Sequence, residues 1–279
     1  MSNTDPPIDE STDETANGSS DHGGIDAGPA SDGAETDRPT VLLSRRVLEG
    51  EPLPEGIPAL LANAHVVLLG YHVIPEQTAT EQAREQFGGR AMTKLKEFAA
   101  TLAAAGADVD TRLVFTHDAQ PTIDRIIYEH DCLAVLVANG TDGPESVLVA
   151  IRGTVGLDRT ARLVGGLFGG TDVSVTLYHV LGEDETEEDA ETLLEGATAR
   201  LVEHGMDADA VETLVERPET PIDAIARHGE DHDAVVMGET DPSVTTFVFG
   251  MPSEQVAERF LGPVLVVQRE RPEGDGSGE

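Results

Sequence analysis

Two histidines, His228 and His232, stand four residues apart, and Asp231 and Asp233 lie beside them. On one helix this spacing would place both imidazoles on the same face, as a pair of metal ligands requires. Gly229 lies between them, however, where the preceding helix is expected to end. We therefore interpret the segment as a solvated loop and do not predict a metal site.

Three further side chains are of types that take part in chemistry. His72 and His179 each close an apolar run, near the edge where a parallel sheet binds ligands, but we favour histidines bonded to the backbone. Cys132 begins another apolar run, which predicts a buried and unreactive thiol. No Ser-His-Asp grouping and no carboxylate pair can be assigned to one site, so the sequence does not indicate an enzyme.

The composition excludes several classes of partner. The chain of 279 residues carries 53 acidic and 18 basic residues, for a formal net charge of −35. Nucleic acids and anionic lipids require a basic surface, so neither is expected as a partner. The single cysteine excludes a disulfide framework and a thiolate zinc cluster. No apolar run approaches the roughly 18 residues of a membrane span. The N-terminus lacks the features of a secretory signal, and we predict a cytoplasmic protein.

The basic residues are biased toward arginine. Lys94 and Lys96 are the only lysines, and aromatic residues make up 4% of the chain. An acidic surface with few lysines is typical of organisms that keep multi-molar salt in the cytosol, where charge is screened over roughly 3 Å. We therefore predict a halophilic protein, with an acidic mesophilic protein as the alternative.

Two biased segments are interpreted without chemistry. The glycine-rich segment 165–170 lies within and after a predicted helix, whereas a phosphate cradle follows a strand. We expect a loosened helix end there. The acidic run 183–189 is interpreted as the solvated start of a helix, where acidic side chains suit the helix dipole.

The elements that must position these residues alternate regularly. Residues 1–38 hold ten acidic residues and little to bury, so they predict a disordered tail, as do residues 270–279. Between the tails, short apolar runs alternate with amphipathic stretches. This alternation predicts βαβ units and parallel sheets covered by helices on both faces.

The apolar runs and amphipathic stretches give the following predicted elements. The strands are Thr40–Ser44, His65–Ile74, Asp108–Phe115, Cys132–Ala138, Val147–Ile151, Asp172–Leu181, Ala210–Val215, Ala234–Gly238 and Pro263–Gln268. The helices are Ile57–Ala64, 79–105, one that opens at Pro121, Leu157–Phe168, Glu187–Gly205, Pro221–His228 and Ser253–Phe260.

The order of elements repeats along the chain. Tyr-His-Val at 71–73 and again at 178–180 closes a second strand, 107 residues apart. Similar segments, 121–126 and 221–225, each open the helix before a fourth strand. We infer a duplicated domain, because these pairs occur in the same order and in matching context.

The duplication divides the chain into two predicted domains, residues 39–143 and 144–269. Only nine residues separate Val137 from Val147, whereas 26 separate Met237 from Val264. The first domain is therefore expected to lack its own final loop and helix. Whether Val147 to Ile151 also completes the sheet of the first domain is left open.

The end of the second copy carries a specific pattern. A valine-rich strand ends at Met237 and Gly238, and a loop, Gly250, an amphipathic helix and the strand Pro-Val-Leu-Val-Val at 263–267 follow. This pattern resembles the universal stress protein family, over residues 147–269 well and over 40–142 more weakly. The resemblance implies an α/β fold of two doubly wound parallel-sheet domains in tandem, Rossmann-like and universal-stress-protein-like, the first incomplete.

The resemblance also implies a nucleotide site. Family members that bind ATP close a loop of the form Gly-x2-Gly-x9-Gly-Ser/Thr over the phosphates. Gly238 and Gly250 match the first and last glycines, whereas Asp241 and Met251 depart from the pattern, and Arg152 stands where binders carry an aspartate. A retained site would use these residues: Ile151, Arg152, Val180, Met237, Gly238, Thr240, Gly250 and Ser253.

Three functional hypotheses follow from the resemblance. The leading one is a non-catalytic stress-response or regulatory module with a degenerate nucleotide loop and no cofactor. It would act through a protein partner or self-association, with Pro263 to Gln268 as an exposed edge strand for pairing. The alternative is an ATP or adenine-nucleotide sensor, or a slow ATPase, that uses the second domain. A further alternative is a soluble regulator of a membrane transporter, a setting in which domains of this family also occur.

Overall fold

The computed structural model describes residues 38–238, 260 and 262–270. Nearly all of both predicted tails and of the predicted helix Ser253–Phe260 lies outside the described residues. The strands are β1 (Thr40–Arg46), β2 (His65–Val73), β3 (Asp108–Thr116), β4 (Ala134–Val137), β5 (Ser146–Ile151), β6 (Ser174–Val180), β7 (Val211–Glu216), β8 (Ala234–Gly238) and β9 (Val264–Val267). The helices are α1 (Ile57–Leu60), α2 (Thr80–Ala104), α3 (Ala119–Glu129), α4 (Leu157–Phe168), α5 (Glu187–Glu203) and α6 (Pro221–Gly229).

Each predicted strand, and each predicted helix within the described residues, is present, with shifts of a few residues at the ends. Helix α3 begins at Ala119 rather than at Pro121, because the Asp118 side chain caps it and accepts a hydrogen bond from the Gln120 amide at 3.1 Å. The acidic start of α5 is confirmed: Thr186 and Asp189 form a reciprocal capping box there.

The nine strands within the described residues form one sheet in the order β3-β2-β1-β4-β9-β8-β5-β6-β7. We call β1 to β4 the first half and β5 to β9 the second half. Within each half the strands are parallel, and β3-β2-β1-β4 repeats as β7-β6-β5-β8. The predicted α/β fold class is therefore confirmed. The two-domain boundary stays a prediction.

Strand β9 lies inside this sheet, between β8 and β4. It pairs parallel with β8 and antiparallel with β4, where Leu265 faces Leu136 across the ladder. The prediction of an exposed edge at Pro263 to Gln268 is therefore wrong. Within the described residues, the first half has no fifth strand of its own, so the backbone N–H and C=O groups on one side of β4 need hydrogen-bond partners. Strand β9 supplies these partners. The open question about Val147 to Ile151 is also answered: among the residues that the structure describes, β5 pairs with β6 and β8 and with no strand of the first half.

The core lies on both faces of the sheet, as a parallel arrangement requires. In β1, Val41 and Leu43 pack with α1 and α2 on one face, and Leu42 packs with α3 on the other. Helices α4 and α5 extend the first layer, and α6 extends the second. Within the described residues, no helix combines the length and apolar character needed to cross a bilayer.

Side chains connect the two halves beside the β4–β9 ladder. The Arg159 guanidinium, on α4, donates to the backbone oxygens of Gln268 at 2.9 Å and Cys132 at 3.3 Å. The Asn63 amide donates to the Leu167 oxygen at 2.8 Å. The bonds that involve Cys132 and Asn63 tie α4 of the second half to segments of the first half, and the bond to Gln268 ties α4 to the end of β9.

The glycines of α4 serve close packing. A Cβ atom at Gly165 would lie 2.4 Å from the His204 Cβ and 2.6 Å from the His204 oxygen, at the end of α5. A Cβ at Gly166 would lie 2.7 Å from the Pro39 ring, just before β1. The interpretation of this segment as a loosened helix end is therefore wrong: Gly165 and Gly166 allow α4 to approach two neighbouring segments.

Candidate functional site

A cleft lies at the carboxyl ends of β5 and β8. The connection from β5 leads through α4 to β6 on one side, whereas β8 is its neighbour on the other. This is the switch point at which doubly wound sheets bind ligands. The cleft has a volume of about 450 Å³. It is lined by Ala150, Ile151, Arg152, Gly153, Val155, Leu157, Thr160, Ile225, Met237 and Gly238.

Most of the residues that line the cleft are apolar, and the charge among them is positive. Arg152 is the only ionisable side chain among the lining residues that the structure describes. The Thr160 hydroxyl donates to the Gly156 oxygen at 3.1 Å. Val155 lines the cleft and is 78% exposed. The cleft therefore suits a ligand that combines an apolar group with negative charge.

The loop after β5 brings Arg152 and Val155 to the cleft. Gly156 has a left-handed backbone with φ of 76°, which an L side chain rarely adopts, and α4 begins directly after it. The Leu157 amide donates to the Thr154 oxygen at 3.3 Å. The loop is therefore a short, closed turn that exposes its side chains at the sheet edge.

His179 lies behind this loop with its side chain 1% exposed. Its Nδ1 lies 2.8 Å from the Ile151 oxygen, at the end of β5. Its Nε2 lies 2.9 Å from Oε1 of Glu185, in the loop between β6 and α5. The prediction of a strand-end histidine bonded to the backbone is confirmed for His179, and the carboxylate is an additional partner.

The loop that carries Glu185 is held at several points. The Gly182 amide donates to Glu185 Oε2 at 2.9 Å. That bond, and then the bond from His179, lower the pKa of the Glu185 carboxyl. The Arg217 guanidinium donates to the backbone oxygens of Gly182 and, at 2.7 Å, of Glu185. The carboxylate that faces His179 is therefore ionised and fixed in place.

In the first half, the end of β1 corresponds to the end of β5, and the arginine side chains there bond to other parts of the chain. Arg45, near the end of β1, donates to the Glu51 carboxylate at 3.2 Å and to the Pro52 oxygen at 2.9 Å. Arg46 donates to the Tyr71 hydroxyl at 3.2 Å, and this bond raises the pKa of Arg46. Arg45 and Arg46, the last two residues of β1, are thus both bonded to neighbouring parts of the first half.

The connection after β1 is also closely packed. Gly56 has a left-handed φ of 77°, and a Cβ there would lie 2.1 Å from the Thr141 oxygen. The Thr141 amide donates to the Glu55 oxygen at 3.0 Å. The loop after β4 and the connection after β1 are therefore in close contact at the carboxyl ends of these two strands.

Half of the predicted site residues meet at the cleft. Ile151, Arg152, Met237 and Gly238 line it. Val180, at the end of β6, is outside the lining and packs on the apolar layer below α6. The other three predicted residues lie outside the described residues: Thr240, Gly250 and Ser253.

Several cleft residues were not predicted. Val155 and Thr160 belong to the β5–α4 connection, and Ile225 to α6. A sequence signal for the first existed, since Val155 lies between two glycines directly after a predicted strand. Glu185 had no such signal, because it is one of several carboxylates in the acidic run.

The paired histidines near the end of α6 have protein partners. His228 Nε2 lies 3.1 Å from the Glu216 carboxylate. His232 donates from Nδ1 to the His228 oxygen at 2.7 Å, and its Nε2 lies 3.1 Å from the Thr176 hydroxyl. Among the residues that the structure describes, no three metal-binding side chains are grouped as ligands.

Cys132 is buried, as predicted, and we expect it to be unreactive in the folded protein. Burial raises the pKa of its thiol to about 12, so the nucleophilic thiolate is scarce at neutral pH. Iodoacetamide should therefore modify Cys132 slowly in native buffer and readily in denaturant, as measured by mass spectrometry. Equal rates in the two conditions would contradict the burial of this side chain.

Comparison with known proteins supports the fold. Neither a protein-family model nor a curated protein sequence matches the chain. A universal stress protein from Archaeoglobus fulgidus is similar in structure, with a TM-score of 0.58 and 19% identity over 84% of this chain and 97% of that one. A putative universal stress protein from Pseudomonas aeruginosa has a TM-score of 0.42 and 17% identity over 83% of this chain and 94% of that one.

A third solved structure is a universal stress protein in complex with cAMP. Its TM-score is 0.37, with 18% identity over 46% of this chain and 98% of that one. At 19% identity, the similarity to the Archaeoglobus fulgidus protein bears on the fold alone. The fold is that of a universal-stress-protein-like, Rossmann-like α/β protein.

Proposed function

We propose that the protein is a non-catalytic regulatory module whose second half binds an adenine nucleotide, with ATP as the first candidate, and that it acts on a protein partner. The observation that carries the proposal is the cleft at the switch point of β5 and β8. Its volume of about 450 Å³ is within the range of small-molecule sites. Its apolar lining suits a base and its arginine suits a phosphate.

The charge distribution supports an anionic ligand. The chain has a formal net charge of −35, yet no carboxylate is among the described lining residues of the cleft. Arg152 is thus a local positive charge on a strongly acidic protein. An anion that approaches elsewhere is repelled, whereas in the cleft it meets a guanidinium that can bond two phosphate oxygens.

The described lining favours binding over reaction. Its polar side chains are Arg152, which stays protonated, and Thr160, whose hydroxyl donates to a backbone oxygen. Neither side chain is suited to accept a proton from an attacking water. We therefore expect nucleotide binding without measurable turnover, so that the bound nucleotide acts as a signal.

The proposal is tested by calorimetric titration of the protein with ATP, with and without magnesium, in low and in multi-molar KCl. We expect micromolar binding, and a loss of about tenfold in Arg152→Gln, because a charged hydrogen bond to phosphate is removed. Arg45→Gln is the matched control in the first half, since Arg45 lies near the end of β1 and is not among the residues that line the cleft. It should bind ATP like the unmodified protein.

Two results would contradict the proposal. One is the absence of heat on titration together with no adenine nucleotide released when the purified protein is denatured. The other is an equal loss of affinity in Arg152→Gln and Arg45→Gln, which would place the ligand outside the cleft.

A further inference from the structure

Both ring nitrogens of His179 have a polar partner inside the protein. A carbonyl oxygen only accepts hydrogen bonds, so Nδ1, at 2.8 Å from the Ile151 oxygen, carries a hydrogen. Nε2 lies 2.9 Å from Oε1 of Glu185, and Oε2 of the same carboxylate accepts from the Gly182 amide. The ring therefore bridges the end of β5 and the loop between β6 and α5.

We propose that His179 is a positioning residue for the cleft, which joins the end of β5 to the Glu185 carboxylate and thereby sets the direction in which Arg152 leaves the strand. This inference rests on the proposed function of the cleft. It deepens that function by assigning a role to residues outside the lining.

The covalent geometry of the chain links His179 to Arg152. The Ile151 carbonyl and the Arg152 nitrogen belong to one planar peptide group, so a hydrogen bond that fixes the oxygen also fixes the plane. That plane is the last of β5, and beyond it the chain turns into the loop that carries Val155. Without the imidazole, the Ile151–Arg152 peptide plane loses this hydrogen bond, and the point from which the Arg152 side chain leaves the backbone is held less firmly.

The other end of the hydrogen-bond chain is rigid. Glu185 is bonded to the Gly182 amide, and Arg217 holds the backbone oxygens of the same loop. A flexible carboxylate would let the ring reorient, whereas a fixed carboxylate keeps it aimed at Ile151. Because Glu185 is held by its own loop and His179 bonds both Glu185 and the Ile151 oxygen, the β6–α5 loop restricts motion at the end of β5.

The first half provides an internal comparison. His72 closes β2 as His179 closes β6, but it lies against the rings of Phe87 at 5.9 Å and Phe115 at 6.2 Å. Six residues beyond His72 the chain has Thr78, where the second half has Glu185. The first half therefore lacks a carboxylate at the position of Glu185, whereas the second half, which has the cleft, carries one.

The test uses the full chain and four variants. His179→Leu removes both bonds, whereas His179→Asn keeps an amide donor for the Ile151 oxygen. Glu185→Gln keeps a hydrogen bond to the ring but removes the charge. His72→Leu is the matched control in the first half. ATP affinity is measured by calorimetry, and the order parameter of the Arg152 amide by ¹⁵N relaxation.

We expect His179→Leu to lower ATP affinity by about tenfold, the size of a lost buried hydrogen bond, and to lower the order parameter of the Arg152 amide. His179→Asn should recover most of both, and His72→Leu should change neither. Glu185→Gln, which keeps a hydrogen bond to the ring, should cause a smaller loss of affinity of about threefold. If His179→Leu fails to fold, His179→Asn and Glu185→Gln still give these readouts.

The inference is overturned if affinity falls in His179→Leu while the Arg152 amide stays equally ordered, or if His72→Leu has the same effect. Failure of the unmodified protein to bind ATP would instead remove the proposed function. The ordering of Arg152 would then still decide the positioning role, because that readout requires no ligand.

Discussion

Replacing Leu265 with aspartate should unfold both halves of the protein together. Leu265 is fully buried at the centre of β9, paired with Leu136 in the first half and Val236 in the second. A carboxylate there has no partner, and an uncompensated buried charge costs about 3 to 5 kcal/mol. That is a large part of the stability of an ordinary domain. Because β9 belongs to both ladders, the loss should be common to the whole sheet.

The measurement is hydrogen exchange of β2 and β6, with thermal unfolding followed by circular dichroism. Both strands should lose protection in Leu265→Asp. Thr213→Asp is the control, since Thr213 is exposed on the outer strand β7, and it should change stability by no more than about 0.5 kcal/mol. Protection that persists in β2 of Leu265→Asp would show that the first half folds without β9.

A second large effect is expected from one methyl group at Gly165. Because the new Cβ would lie 2.4 Å from the His204 Cβ and 2.6 Å from its oxygen, α4 and the end of α5 must move apart. Overpacking of this kind typically costs up to about 3 kcal/mol, and here a backbone atom is among those displaced. Gly165→Ala should therefore lower the urea midpoint markedly, as measured by far-ultraviolet circular dichroism.

Gly89→Ala is the matched control for this substitution. Gly89 lies within α2, and a Cβ there would meet nothing within 4 Å. Alanine is the better helix former by about 1 kcal/mol, so this variant should be more stable than the unmodified protein. The same chemical change is thus expected to have opposite signs at two helical glycines. Two effects of the same sign would contradict the close helix contact at Gly165.

The fold was largely predictable because its signals are local. The apolar run at β1 and the three- and four-residue spacing in α2 each report which faces are buried, and parallel strands follow from their alternation. The position of β9 was not predictable from such signals. An apolar run of four residues reads the same at an edge as in the interior, and the partner, β4, is far away in the sequence.

The site was predictable where one residue type follows one strand. Four predicted residues lie at the end of β5 or β8 or directly after it: Ile151, Arg152, Met237 and Gly238. Neighbouring parallel strands bring their carboxyl ends to the same edge of the sheet. The role of Glu185 depended on which of several neighbouring carboxylates faces His179, and only the loop geometry selects it. The glycines of α4 were misread because a glycine that permits contact and one that weakens a helix have the same sequence signal.

The place of β9 also affects how the protein is made. Strand β4 is complete at Val137, but the strand that covers its edge begins only at Val264, about 130 residues later. At translation rates of roughly 5 to 20 residues per second, the first half waits about 6 to 25 s with that edge unpaired. During this interval an exposed parallel edge can pair with the same strand of another nascent chain. We therefore expect chaperones to be needed for the first half of the nascent chain until β9 has been synthesised and pairs with β4.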